Sequence, residues 1–131
     1  MCENRPSIYE PGFITSLRPN EIFVFGSNLY GYHDGGAAAL AAKHFGAKQG
    51  IGVGLSGQSY AIPTMQGGID TIVPYVDDFI EFVCGHKQYT YLVTAIGCGC
   101  AGFKPEEIVP LLERAMCLDN IVLPQAFKNL L

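Results

Sequence analysis

Tryptophan is absent from this 131-residue chain, and charge is scarce. Asp, Glu, Lys and Arg make up 15% of the residues, well under the ~25% usual for a globular domain. The basic sign is the scarcer one, with 8 Lys and Arg against 12 Asp and Glu and a net charge of -4. Binders of the nucleic-acid backbone carry a basic face, so nucleic acid is not an expected partner. No apolar run approaches the ~20 residues of a membrane span, so no membrane partner is expected either. Met1-Cys2-Glu3-Asn4-Arg5-Pro6 lacks the apolar core of a signal peptide, which makes a cytoplasmic location the expectation. Repeats, low-complexity runs and linkers are also missing. A single domain over 1–131 follows, with 1–11 as an irregular lead-in.

The 5 cysteines are Cys2, Cys84, Cys98, Cys100 and Cys117. Their odd number and scattered positions argue against a secreted disulfide framework and for reduced thiols. Cys98 and Cys100 are separated by one residue, too few for an unstrained disulfide. Two thiols do not complete a tetrahedral zinc site, so neither metal nor cofactor is expected. The other reading of this pair is a reactive thiolate, stabilised by surrounding backbone amides.

Glycine is what the chain has in excess: 16 residues, gathered in 26–36, 46–57, 67–68 and 97–102. The remainder is strongly apolar, with 49% hydrophobic residues. Glu21-Ile22-Phe23-Val24-Phe25 is a dense apolar run ended by Gly26, the pattern of a strand buried on both faces. Alanine-rich Ala37 to Phe45 predicts a helix, capped by Gly46. Gly50 to Leu55 is ambiguous between strand and loop. Ser59 to Pro63 predicts a strand. Ile72, Val76, Phe79, Ile80 and Val83 share a helical face, with Asp77, Asp78 and Glu81 solvated on another. Pro74 fits the first turn of that helix, with Asp70 or Thr71 as its cap. Tyr89 to Ile96 predicts a second central strand. A helix opens at Pro105, and Pro110 should bend or loosen it. Asn120 to Pro124 predicts a last strand, and Phe13 to Thr15 a short early one. Strands alternating with helices predict an α/β fold, a three-layer α/β/α sandwich with a mixed, largely parallel central sheet.

Ligands of such sheets bind beyond the carboxyl ends of the strands. Both strong strands run into glycine loops there. The first loop, Gly26 to Gly36, includes Ser27 and Asn28; Asn28 offers a donor and an acceptor. Gly35 and Gly36 precede a helix whose first amides are unpaired donors. The second loop is Gly97-Cys98-Gly99-Cys100-Ala101-Gly102-Phe103. Alternate glycines leave its backbone N–H groups open to an anion. Neither loop carries a dinucleotide or P-loop fingerprint.

The order of these segments resembles the macrodomain family over about Gly12 to Phe127. Ile22 to Leu29 followed by Gly35-Gly36-Ala37-Ala38 resembles the first ligand loop of that family. Tyr91 to Phe103 resembles the second, diphosphate-wrapping loop. Tyr60 to Thr64 looks like the strand between them, and Gly12-Phe13-Ile14-Thr15 is similar to the opening motif. The resemblance implies a macrodomain-like fold that binds ADP-ribose or a related nucleotide, free or on an ADP-ribosylated protein. It implies that Asn28 meets the distal ribose, with Gly35 and Gly36 at the same end. The amides of Gly97, Cys98, Gly99, Cys100, Ala101 and Gly102 would hold the diphosphate. Phe103 would flank the distal ribose, with Phe127 and the Phe13 position bordering the base. Phe13 stands where many members have an aspartate for adenine. The acids and the lysine of the hydrolase branches are matched here by Ala38, Ala101 and Met65, which favours a binding module.

Two other functions stay open. One is a hydrolase of ADP-ribosyl or nucleotide phosphoester bonds, with water oriented by Asn28 and by His33 or Asp34. The other is a non-catalytic interaction protein with a vestigial pocket. His33-Asp34 reads equally as a solvated loop pair, and Tyr30 and Tyr32 as covers for a ligand or shields for the loop.

Overall fold

The structure, a computed structural model, describes residues 16–99 and 101–130. The lead-in, the early strand at Phe13–Thr15, the Phe13 base contact and Cys100 lie outside the described residues.

Five strands form one sheet. They are β1 (Glu21–Ser27), β2 (Gly54–Ser56), β3 (Ser59–Pro63), β4 (Thr90–Val93) and β5 (Ile121–Val122). Their spatial order is β2-β3-β1-β4-β5. β1 lies in parallel between β3 and β4, and β4 pairs in parallel with β5. The β2 edge strand is antiparallel to β3. The sheet is therefore mixed and largely parallel. Among the described residues the α-helices are α1 (Gly36–His44), α2 (Val73–Gly85), α3 (Pro105–Ile108) and α4 (Gln125–Lys128). Among the described residues no helix is long and apolar enough to cross a membrane.

The period-two alternation of β1 sets the layering. Ile22 and Val24 enter one core with Val76, Phe79, Ile80 and Val83 of α2, Ile108 of α3 and Phe127 of α4. Phe23 and Phe25 enter a second core with Ala38 and Ala41 of α1 and with Phe45. Helices thus cover both faces of the sheet. The alanines let α1 lie close to it, and the aromatic rings supply bulk, with Phe23 and Phe45 centred 4.8 Å apart. On the other face Phe79 meets Tyr60 at 5.1 Å and, edge-on, Tyr91 at 5.7 Å.

Two details depart from the sequence reading, the end of β4 and the cap of α2; the loosening expected at Pro110 is seen, and one open reading is resolved. β4 stops at Val93: Thr94 N–H still bonds to Val24 O at 3.0 Å, but Ile96 N–H then turns back to Thr94 O at 2.8 Å. The helix from Pro105 keeps α geometry only to Ile108 and runs on as a 3-10 helix over Val109–Cys117. Pro110, which lacks an N–H, lies at that change. The N-cap of α2 is Ile72, with no side-chain cap. Asp70 and Thr71 belong to a preceding 3-10 turn, where Thr71 Oγ1 donates to Gly68 O. The ambiguous glycine stretch resolves into a loop followed by β2.

Topology places the site. From β1 the chain leaves for α1 on one face. From β4 it leaves for α3 on the other. β1 and β4 are sheet neighbours, so their exit loops diverge and open a crevice at a switch point. The first loop is held from behind by residues 49–52. Ser27 Oγ donates to Gly52 O, and Gly50 N–H to Gly31 O at 2.8 Å. A Cβ on Gly52 would stand 2.0 Å from the Asn28 carbonyl oxygen. Gly52→Ala is therefore expected to destabilise the domain by about 1–3 kcal/mol, read as a lower urea midpoint. Gly85→Ala, at a helix position with nothing within 4 Å of the new Cβ, should hold or raise the midpoint.

Candidate functional site

Beyond the carboxyl ends of β1, β3 and β4 lies a cleft of about 900 Å³. Ser27, Asn28, Asp34, Gly35 and Gly36 line it from the first loop, and Gly97, Cys98, Gly99 and Ala101 from the second. Ala38 and Met65, which share with Ala101 the positions matched to family catalytic residues, also line it. Buried Thr64 and Thr94 join them from the ends of β3 and β4. These threonines were missed in the sequence, although their places just after predicted strands were a usable signal.

Several expected site residues take other places. Phe127 is fully buried in the α2-side core and cannot border a base from there. Phe103 packs its ring on the same core, and its N–H donates to Gly97 O at 2.8 Å. Gly102 N–H donates to Gly99 O at 3.0 Å. Neither Phe103 nor Gly102 is among the lining residues, because both close the second loop on itself. Cys98 N–H is likewise committed, to Ala95 O at 3.1 Å. The N–H groups of Gly97, Gly99 and Ala101 have no acceptor among the described residues. The first turn of α1 adds unpaired donors: Gly35 is its N-cap, no side chain caps it, and no acid occupies its first turn.

His33 is neither a solvated partner of Asp34 nor a base in the cleft. It is 2% exposed, edge-on to Phe25 with ring centres 5.3 Å apart. Nε2 lies 3.0 Å from Ile51 O, which requires the proton on that nitrogen. Gln49 holds its backbone, accepting from His33 N–H at 2.9 Å and donating to His33 O at 3.2 Å. His33 is thus an internal brace for the first loop.

Asn28 spends its carboxamide within the loop. Nδ2 donates to Tyr32 O at 2.9 Å, and Oδ1 accepts from Tyr32 N–H at 3.1 Å. Tyr32 lines the cleft and stacks on Tyr30 at 5.9 Å. Gln58 Nε2 donates to Arg18 O and Glu21 O, tying its turn to the start of β1, and Ser59 Oγ closes that turn by donating to Ser56 O.

Among the described residues, no Lys, Arg or His lines the cleft. Among the described residues, Asp34 is the one carboxylate that lines it and Cys98 the one thiol. Burial pushes the Cys98 thiol above its usual range, and the charges of Glu106 and Glu107 push it the same way. Both influences disfavour the thiolate at Cys98, against the reading of this position as a reactive thiolate. Among the described residues no group of three or more His, Cys, Asp and Glu could hold a metal ion.

Comparison with protein-family models, curated proteins and solved structures finds no match to this chain.

Because a raised pKa leaves less thiolate at a given pH, iodoacetamide at neutral pH should label Cys98 more slowly than exposed Cys84 and Cys117, as read by peptide mapping. Gly97→Ala should cost about 1–3 kcal/mol of stability by urea denaturation: its φ is +76° and its new Cβ would lie 2.9 Å from Ile108 Cδ1.

Proposed function

We propose that this domain binds ADP-ribose or a related nucleotide diphosphate in the cleft between the two glycine loops, as a macrodomain-like binding module. The observation that carries this reading is the meeting of both loops in one crevice at the switch point of the sheet. A cleft of about 900 Å³ is in the size range of small-molecule sites. The diphosphate is held by the N–H groups of Gly97, Gly99 and Ala101 together with the first turn of α1. These dipoles act at contact distance and need no cationic side chain. Leu40 and Met65 offer apolar surface to the uncharged parts of the ligand. A nucleotide-bearing protein, ADP-ribosylated on an exposed side chain, is the natural macromolecular partner. Free Cys84, Cys98 and Cys117 accord with a reducing, cytoplasmic setting.

Binding is favoured over hydrolysis by the side chains available. His33 is occupied inside the loop, Asn28 is engaged with Tyr32, and burial pushes the Cys98 thiol above its usual range. Asp34 remains as the one carboxylate at the cleft among the described residues.

Titration calorimetry with ADP-ribose, ADP and AMP tests the reading. ADP-ribose and ADP should bind, AMP more weakly, and chromatography of the mixture should recover the ligand intact. Gly99→Val should weaken ADP-ribose by about tenfold or more, since the side chain enters the anion space. Its unfolding midpoint should hold, because a Cβ there meets nothing within 4 Å. Unchanged affinity would remove the second loop from the site. Consumed ligand would make the domain a hydrolase.

A further inference from the structure

We propose that the first loop receives the base of the nucleotide on the ring of Tyr32, by stacking, and that Asn28 is the positioning residue that holds Tyr32 in place. This rests on the proposed function of the cleft and reverses the polarity that the family resemblance implies, in which this loop takes the distal ribose.

Tyr32 lines the cleft, yet it is 64% exposed, and its stacking partner Tyr30 is 77% exposed. The two rings lie 20° from coplanar. Large aromatic surfaces left in water beside a concave site are what a planar ligand group covers. The backbone beneath them is fixed. Both polar backbone groups of Tyr32 are bound by the Asn28 carboxamide. Gly31, between the tyrosines, has φ +75° and bonds to Asn28 O through its N–H and to Gly50 N–H through its carbonyl. A Cβ on Gly31 would stand 2.3 Å from the Gly50 carbonyl carbon. Backbone therefore packs directly on backbone, and the loop holds its aromatic rim ready before any ligand arrives. Such preorganisation lowers the ordering cost of binding.

The division of labour follows from the chemistry. The amides of the second loop suit a diphosphate but give no grip on a base. Tyr32 supplies a π-face and no fixed pattern of donors and acceptors. Stacking of this kind tolerates every base, because each has a π-face. The ligand class is thus a nucleoside diphosphate read for the presence of a base and little for its identity. Asn28 already spends a donor and an acceptor on the Tyr32 backbone, so its removal acts by freeing the main chain that carries the ring.

The chain contains no tryptophan, so Tyr32→Trp creates a single indole reporter. ADP-ribose, ADP and GDP should quench its emission, with ADP and GDP affinities within about threefold of each other. Inorganic pyrophosphate should bind without quenching. Tyr32→Ala should weaken ADP about tenfold and leave pyrophosphate unchanged, and Tyr32→Phe should restore ADP binding. Asn28→Ala should match the Tyr32→Ala loss and add nothing to it in the double variant. If Tyr32→Ala binds ADP as the wild type does, or bases fail to quench, the base subsite is wrong while the proposed function stands. Additive losses in the double variant would show that Asn28 touches the ligand itself and would overturn its positioning role. If the wild type binds neither ADP-ribose nor ADP, the proposed function fails and this inference with it.

Discussion

The parallel seating of β1 between β3 and β4 is the constraint on which the molecule depends. β1 is buried from Glu21 to Phe25, and its successive side chains serve two different cores. Phe23 and Phe25 need the small residues of α1 above them, while Ile22 and Val24 need the larger ones of α2 below. Once those two demands are met, the loop after β1 must climb to one face and the loop after β4 must descend to the other. The crevice is what remains between them. Burial of a side chain such as Phe23 or Val24 contributes about 1.5–3 kcal/mol each, so the geometry of the cleft is held by the strongest packing in the domain.

Much of this was legible in the chain. The run Ile22 to Phe25, the alanines of α1 and the strand Ser59–Pro63 each combine composition and period in one direction, and the structure has them at nearly the expected bounds. Alternating strands and helices imply a largely parallel sheet, but the seating of β1 beside β4, which brings the loops together, is seen only in the structure. What was not legible was where polar groups spend their hydrogen bonds. Asn28 reads as a ligand-facing amide, but a carboxamide four residues from Tyr32 can close a loop instead. His33 reads as solvated beside Asp34, but Gln49 and Ile51, far along the chain, supply its partners. Pairings of that range leave no local mark. The end of β4 was misjudged for a related reason: Thr94-Ala95-Ile96 has strand propensity, and tertiary turning at Gly97 overrides it.

The glycines divide by physical role. Gly31, Gly52 and Gly57 are closed positions, where backbone from elsewhere occupies the place of a side chain. Gly35, Gly36 and Gly99 are open positions, with nothing within 4 Å of a would-be Cβ. The closed set shapes the scaffold. These three open glycines line the cleft, unlike open Gly54 and Gly85, and empty space beside their main-chain amides is what an anion would enter.

The stitching of residues 49–52 to the first loop has a mechanical consequence. Ser27 to Gly52, Gly31 to Gly50 and His33 to both Gln49 and Ile51 bind the rim of the cleft to the strip of chain that leads into β2. The rim and the outer hairpin therefore move as one plate. A tug on the free margin of the sheet is transmitted to the mouth of the crevice, and the two regions share a single opening event in amide exchange rather than fraying apart.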